Sequence, residues 1–238
     1  MYTILISFAK VEVDLKNIIE NIKKLDTTCI SDACDRLEIS GSLSSLKPIL
    51  PGSKLCGRAF TVKYRPSSGN NSTVGDFLDD LKEGDLAVID NGGKTDATVW
   101  GDIMSLYSKI NGIAGAIING ACRDIPEIKK LGFPIFSAGT NAVTGKGRYE
   151  IEYIQKAIYI DNTKIVPGDI IIADDSGIIC IPENKAEEVY EIAKSINDIE
   201  EKIKQAIQSG KPLNVARNMY NYHNLQKPNT NLDSKKGD

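Results

Sequence analysis

Apolar residues recur at helical spacing across Leu15–Leu25 (LKNIIENIKKL), which predicts a first helix. Thr27–Leu37 reads as a second, with Asp26 or Thr27 as its N-cap. Ser40–Pro51, rich in Ser, Gly and Pro, reads as a loop. Leu55–Tyr64 is β-like, and Leu86–Asp90 is a short apolar strand halted by the turn Asn91-Gly92-Gly93. The chain then says one phrase twice. A Gly-containing loop leads to a helix around Gly101–Ile110, and Ile113–Asn119 (IAGAIIN) is a buried strand. A second loop, Gly120–Cys122, leads to a helix around Ile125–Leu131 and a short strand at Pro134–Ser137. This alternation predicts an α/β layer of parallel strands covered by helices.

Beyond Gly145–Arg148 the pattern turns to β: Ile154–Ile160, Ile165-Val166, the turn Pro167-Gly168-Asp169, Ile170–Ala173, the turn Asp174–Gly177 and Ile178–Ile181. Pro182 ends that meander, and Asn184–Ser209 reads as one long helix stopped by Gly210 and Pro212. Residues 214–238, rich in Asn and Lys, read as a mobile tail. No linker divides the chain. The expectation is one α/β domain with an antiparallel β portion and a projecting C-terminal helix.

Composition narrows the choice of chemistry. The 238 residues are 41% hydrophobic, 26% charged and 6% aromatic, as in a protein that buries a sizeable core. No run approaches the roughly 18 apolar residues of a membrane helix. The apolar opening Met1–Ala9 is too short for a signal peptide and runs into Lys10 and Glu12, so a cytoplasmic protein is expected. Twenty-nine basic against thirty-two acidic residues, with no basic stripe, argue against a nucleic-acid binder. Lys202, Lys204, Lys211 and Arg217 gather near the tail, but Glu200 and Glu201 dilute them into a solvated helix face.

The five cysteines (Cys29, Cys34, Cys56, Cys122, Cys180) form no CxxC pair and sit among apolar neighbours, as buried free thiols do. The sole histidine, His223, lies in the polar tail. A Ser-His-Asp triad, a Cys-His pair and a histidine-based zinc site are therefore set aside. Acid–base or metal chemistry must rest on carboxylates, lysines, arginines or water.

The segment WGDIMSLYSKINGIAGAIINGACRDIPEI places polar groups at two loop-to-helix junctions. Gly101-Asp102-Ile103-Met104 opens one helix, whose first amides lack intrahelical partners and suit a small carboxylate. Arg123-Asp124 opens the next, just beyond a buried strand, where ligands of open α/β sheets bind. Arg123 offers a planar fork for a carboxylate or keto acid, and Asp124 a hard oxygen for Mg²⁺ or Mn²⁺. Plainer readings stand beside these: Asp102 and Asp124 as ordinary first-turn acids, Arg123 as half of a surface ion pair. Lys63 and Lys94 are the candidates for a Schiff-base lysine, with a solvent-facing lysine as the plainer reading of each.

Asp102, twenty intervening residues, Arg123-Asp124, two more, then Glu127 resembles the D-x20-R-D-x2-E/D signature of the RraA-like family. DTTCISDACDRL (26–37), CGRAFTV (56–62), EGDLAVIDNGG (83–93), GIAGAIINGACRDIPEI (112–128), LGFPIFSAG (131–139) and PGDIIIADDSGIICIP (167–182) agree in order, over roughly residues 25–212. That family includes divalent-metal-dependent 4-hydroxy-4-methyl-2-oxoglutarate/4-carboxy-4-hydroxy-2-oxoadipate aldolases and regulators of ribonuclease E activity. The resemblance implies a single swivelling α/β/β domain over 25–182, after an N-terminal extension or helix at 1–24. It further implies a C-terminal helix at 183–212 that contacts a neighbouring subunit, and leaves a flexible tail at 213–238.

Carried over residue by residue, the resemblance implies that main-chain amides of Gly101, Asp102, Ile103 and Met104 hold the carboxylate of a pyruvate-like 2-keto acid. Arg123 would bind its carboxylate and keto oxygen, Asp124 would coordinate Mg²⁺ or Mn²⁺, and Asp102 would order water at that metal. A glutamate of the C-terminal helix, Glu200 with Glu201 as the alternative, would reach the site of a neighbouring subunit in a homotrimer or hexamer. Such a site stabilises a pyruvate enolate, so aldol cleavage and oxaloacetate decarboxylation are expected together. The alternative is a non-catalytic regulator that binds ribonuclease E or another protein. The helix through Glu200, which those inhibitors generally lack, favours the enzyme. A related lyase acting on another keto acid is a third possibility.

Overall fold

The computed structural model describes residues 15–69 and 74–225. Among them the strands are β1 Ser42–Leu43, β2 Lys47–Pro48, β3 Leu55–Pro66, β4 Asp85–Asp90, β5 Thr98–Trp100, β6 Gly115–Cys122, β7 Ile135–Thr140, β8 Tyr149–Ile154, β9 Ile158–Ile160, β10 Thr163–Ile165, β11 Ile170–Asp174 and β12 Gly177–Ile181. The helices are α1 over residues 15–22, α2 Thr27–Arg36, α3 Asp102–Ile110, α4 Ile125–Leu131, α5 Ala186–Gln208 and α6 Leu213–Met219. One sheet runs β1-β12-β11-β3-β4-β6-β7-β2, with β5 beside β6 and β8 beside β3, while β9 and β10 form a separate hairpin. β3, β4, β6 and β7 are parallel, as is β5 to β6, while β1, β12, β11, β8 and β2 are joined by antiparallel pairings. The expected α/β layer with an antiparallel portion and a long C-terminal helix is therefore present as a single domain.

Period-two alternation divides the sheet between two cores. Phe60, Val62, Ala87, Ile89, Ala116 and Ile118 join Trp100, Ile128 and Phe133 on the side of α3 and α4. Ala59, Leu86, Val88 and Ile117 face the opposite way and join Ile158, Ile160 and Ile165 of the hairpin. With both faces covered, β4 (DLAVID) is a nearly unbroken apolar run, as parallel strands are. A third core packs α1, α2 and α5 on the edge strands, with Ile22, Ile30, Val189 and Ile196 against Ile170, Ile172, Ile179 and Ile181.

Several boundaries differ from the sequence reading. The buried strand does not stop at Asn119: β6 continues through the supposed loop Gly120–Cys122, because β5 pairs with its far end (Thr98 with Ala121, Trp100 with Cys122). Ile154–Ile160 is two strands, β8 and β9, parted where Gln155 adopts a left-handed backbone (φ 51°). The supposed loop Ser40–Pro51 holds β1 and β2. β10 occupies Thr163–Ile165 instead of Ile165-Val166.

Asp26 stands at the N-cap of α2 without a side-chain cap. That function passes to Asp174, which accepts hydrogen bonds from the Thr27 N–H (2.9 Å) and Oγ1 (2.6 Å). The expected mobile tail begins with a helix, α6, whose Ala216 packs against Ile203 and Ala206 of α5. Residues 226–238 of that tail, and the apolar opening Met1–Ala9, lie outside the described residues. No helix among the described residues is long and apolar enough to cross a membrane. All five cysteines are free and buried.

Candidate active site

Two helix N-termini meet at the carboxyl ends of β5 and β6. Trp100 and Cys122 stand side by side in the sheet, and the chain leaves each strand directly into Gly101-Asp102 and Arg123-Asp124. The first junction is fixed by the buried Trp100, whose Nε1–H donates to Ser105 Oγ (2.8 Å). Ser105 Oγ in turn donates to the Gly101 carbonyl (3.0 Å). The second is tied to the first by the Arg123 N–H, which donates to the Trp100 carbonyl at 3.1 Å.

Asp124 stands at the N-cap of α4 in the left-handed region (φ 61°, ψ 34°) and makes no side-chain cap to its own helix. A non-glycine residue there costs roughly 1–2 kcal/mol. The backbone turn instead sends the carboxylate toward α3. Asp124 Oδ2 lies 3.4 Å from the Asp102 N–H and 3.3 Å from Arg123 Nε. A plain first-turn cap does not account for this geometry. The Ile103 N–H is taken by Asp102 Oδ1 at 2.7 Å, so the first-turn amides of α3 already face carboxylate oxygens. The Arg123 and Asp124 side chains are 38% and 33% exposed, open to a ligand without being fully solvated.

These groups line a cleft of about 140 Å³ together with Thr98, Trp100, Ile103, Met104, Thr144, Gly145 and Lys146. Sequence reasoning passed over Lys146, because long-range pairing brings it there. Thr98 donates through N–H (3.0 Å) and Oγ1 (3.1 Å) to the Val143 carbonyl, and Thr98 bridges to Thr144. A Cβ on Gly145 would lie 2.1 Å from the Thr98 carbonyl oxygen, so only glycine lets this loop lie so close. Lys146 thereby enters the cleft wall with no ion-pair partner among the described residues.

Of the sequence-derived residues, Gly101, Asp102, Ile103, Met104, Arg123 and Asp124 come together in this cleft. Glu127 does not line it, pairing instead with Lys130 (2.6 Å) on the outer face of α4. Glu200 and Glu201 lie on α5, outside the cleft of their own chain: Glu200 meets Cys29 of α2, and Glu201 pairs with Lys204 (2.7 Å).

Lys63 is not the solvent-facing lysine of the plainer reading, since its Nζ is 2.5 Å from Oδ2 of the buried Asp90. Lys94 lies over the Tyr149 ring, 5.9 Å from its centroid. Cys122 is fully buried, its thiol pushed up by that burial, and it does not line the cleft. His223 is exposed and meets Tyr222 edge-on.

Comparison with known proteins shows the family. Residues 27–180, more than half of the chain, match the RraA-like family, described as Aldolase/RraA. Protein DlpA of Legionella pneumophila is 36% identical over 211 residues, covering 87% of this chain. The match covers 34% of DlpA, so the chain spans about a third of that relative's length. A Halalkalibacterium halodurans protein named "Putative 4-hydroxy-4-methyl-2-oxoglutarate aldolase" is 35% identical over 191 residues, covering 80% of this chain and 89% of the relative. The crystal structure of an uncharacterized protein from Pseudomonas syringae pv. tomato superposes with a TM-score of 0.80 at 36% identity, covering 85% of this chain and 97% of that one. The chain, with its Asp102 and Arg123-Asp124 junctions at adjacent strand ends, belongs to the RraA-like family.

Proposed function

We propose that the protein is a divalent-metal-dependent pyruvate aldolase, cleaving 4-hydroxy-2-oxo acids such as 4-hydroxy-4-methyl-2-oxoglutarate, with oxaloacetate decarboxylase activity. The observation that carries this reading is the convergence of Gly101-Asp102 and Arg123-Asp124 in one cleft. The donor set fits a hard dication. Asp124 and Asp102 supply carboxylate oxygens, and no group of three or more His, Cys, Asp or Glu among the described residues suggests a closed cage. That is the protein contribution Mg²⁺ or Mn²⁺ takes while keeping most of its waters, with Asp124 as the ligand. When bound, the ion supplies Lewis-acid stabilisation of negative charge on the keto oxygen.

The remaining work belongs to the chain. A substrate carboxylate takes over the first-turn amides of α3, displacing Asp102 Oδ1 from the Ile103 N–H and freeing Asp102. Arg123 turns its Nε to Asp124 and offers its terminal nitrogens to the substrate carboxylate and keto oxygen. Lys146 meets the second carboxylate of a dicarboxylic substrate. In the retro-aldol step the 4-hydroxyl loses its proton, C3–C4 breaks to give a carbonyl, and the electron pair remains as pyruvate enolate. Arg123 stabilises that charge more than it does the neutral ketone, which lowers the barrier. Asp102, together with Glu200 of an adjoining copy, accepts the hydroxyl proton and returns one to C3. Loss of CO₂ from oxaloacetate leaves the same enolate.

Ile103, Leu106, Tyr107 and Ile110 make an exposed apolar stripe at i, i+3, i+4, i+7 on α3, with Ile103 79% and Ile110 74% exposed. Its position beside the cleft supports burial against another copy in a homotrimer or hexamer. Five free thiols fit a reducing, cytoplasmic setting. The test is purified protein against a panel of 2-keto acids. Pyruvate should appear from oxaloacetate and from 4-hydroxy-4-methyl-2-oxoglutarate with Mg²⁺ or Mn²⁺ and cease with EDTA. Full turnover after exhaustive chelation contradicts the metal assignment.

A further inference from the structure

The buried positions of α5 are Ala186, Val189, Ala193, Ile196, Ile203 and Ala206. They step by three, four and three residues, then by seven, then by three. Within the long step Ile199 packs on the same core partly buried, and Glu200 follows it, half-buried beside the seam. Glu200 thus borders the seam on the side that meets α2. Its neighbour Glu201 lies off the seam, exposed and paired with Lys204.

Among the described residues, one group meets Glu200 from α2. Cys29, 4% exposed on α2, places its Sγ 3.7 Å from Glu200 Oε2. The Asp174 latch on Thr27, two residues earlier, fixes the helix that carries this thiol. Burial, and then the Glu200 charge, push the Cys29 thiol up to about 12, so it remains a donor through the neutral range. Glu200 Oε1 has no hydrogen-bond partner among the described residues, and Glu200 as a whole is half-buried.

We propose that Cys29 is a positioning residue: its thiol holds one carboxylate oxygen of Glu200 and leaves the other to handle the proton, which selects Glu200 over Glu201. This rests on the reading that Glu200 serves the cleft of an adjoining copy. The test compares Cys29→Ala and Cys29→Ser in the intact assembly, using oxaloacetate with Mg²⁺. Cys29→Ala should lose roughly tenfold in kcat at unchanged KM, the equivalent of about 1.4 kcal/mol. Cys29→Ser, which keeps a donor, should remain near the parent.

A readout independent of turnover is the infrared S–H stretching band of Cys29, assigned by its loss in Cys29→Ala. Glu200→Gln should move that band, because a charged acceptor is exchanged for a neutral one. Parent-like kcat in Cys29→Ala, equal losses in the Ala and Ser variants, or a band that stays in place in an active protein overturns the inference alone. A protein inert toward every 2-keto acid overturns the cleft reading and the positioning role with it.

Discussion

Gly101→Ala isolates the cleft geometry from the fold. Gly101 has extended backbone (φ −153°, ψ −168°), which alanine adopts without strain, so the perturbation is a single methyl group. That Cβ would lie 2.7 Å from Asp124 Oδ2, 3.6 Å from Arg123 Cγ and 3.7 Å from Arg123 Nε. Ordinary contact begins near 3.4 Å, so the carboxylate must retreat by about 0.7 Å (3.4 − 2.7) while the arginine stays in place. Misplacing a catalytic group by about 1 Å costs on the order of 100-fold. We therefore expect kcat/KM for oxaloacetate to fall by roughly 30- to 100-fold, or about 2–2.7 kcal/mol of transition-state stabilisation. The apparent affinity for Mn²⁺ should weaken with it. Pyruvate release coupled to lactate dehydrogenase reads the first quantity, and Mn²⁺ titration with a melting curve reads the rest. Parent-like kcat/KM would refute the placement of Asp124 in the site. A collapsed melting temperature would show that the methyl group disturbs more than the carboxylate.

Arg123→Ala should abolish turnover while leaving the melting temperature and the assembly intact, since its side chain is 38% exposed and outside the cores. Unchanged kcat/KM rejects the enolate-stabilising role. Glu200→Gln should lower kcat strongly and Glu201→Gln little, because Glu201 only pairs with Lys204 on the surface; steady-state kinetics that reverse this order would place the wrong face of α5 at the site.

Asp174→Asn should cost about 1–2 kcal/mol near neutral pH, the scale of a lost helix cap. Burial pushes Asp174 up, but the hydrogen bonds from Thr27 and the Ser176 N–H outweigh it and hold the carboxyl below the usual range. A depressed carboxyl contributes stability above the unfolded value, and that stability is lost as pH falls through the folded one. Denaturant melts of parent and variant should therefore differ at pH 7 and converge below about pH 4.

The parts legible in the sequence were local. The helices over 102–110 and 125–131, the apolar run of β4 and the two polar junctions all announce themselves within a few residues. What escaped was set by distant pairing. β6 runs on through Asn119-Gly120-Ala121 because β5 lies along its far end, and no periodicity records that. Lys146 enters the cleft through a bond between Thr98 and Val143. The α2 cap comes from Asp174, so the sequence pointed to the neighbouring acid at Asp26 instead. Asp124 looked like a first-turn acid, and only its left-handed backbone sends the carboxylate across to α3. The 214–238 tail reads as polar, yet Ala216 packs with Tyr220 and Tyr222 to dock α6 on α5.

The central claim is that Arg123 and a dication at Asp124 share the charge of a pyruvate enolate, and deuterium exchange into pyruvate tests it without any assumption about the natural substrate. Protein with pyruvate and Mg²⁺ in D₂O, followed by proton NMR, should lose the methyl signal at a rate proportional to enzyme. EDTA and Arg123→Ala should each stop that loss. A methyl signal that persists with Mg²⁺ present, or exchange that continues after chelation, would contradict it.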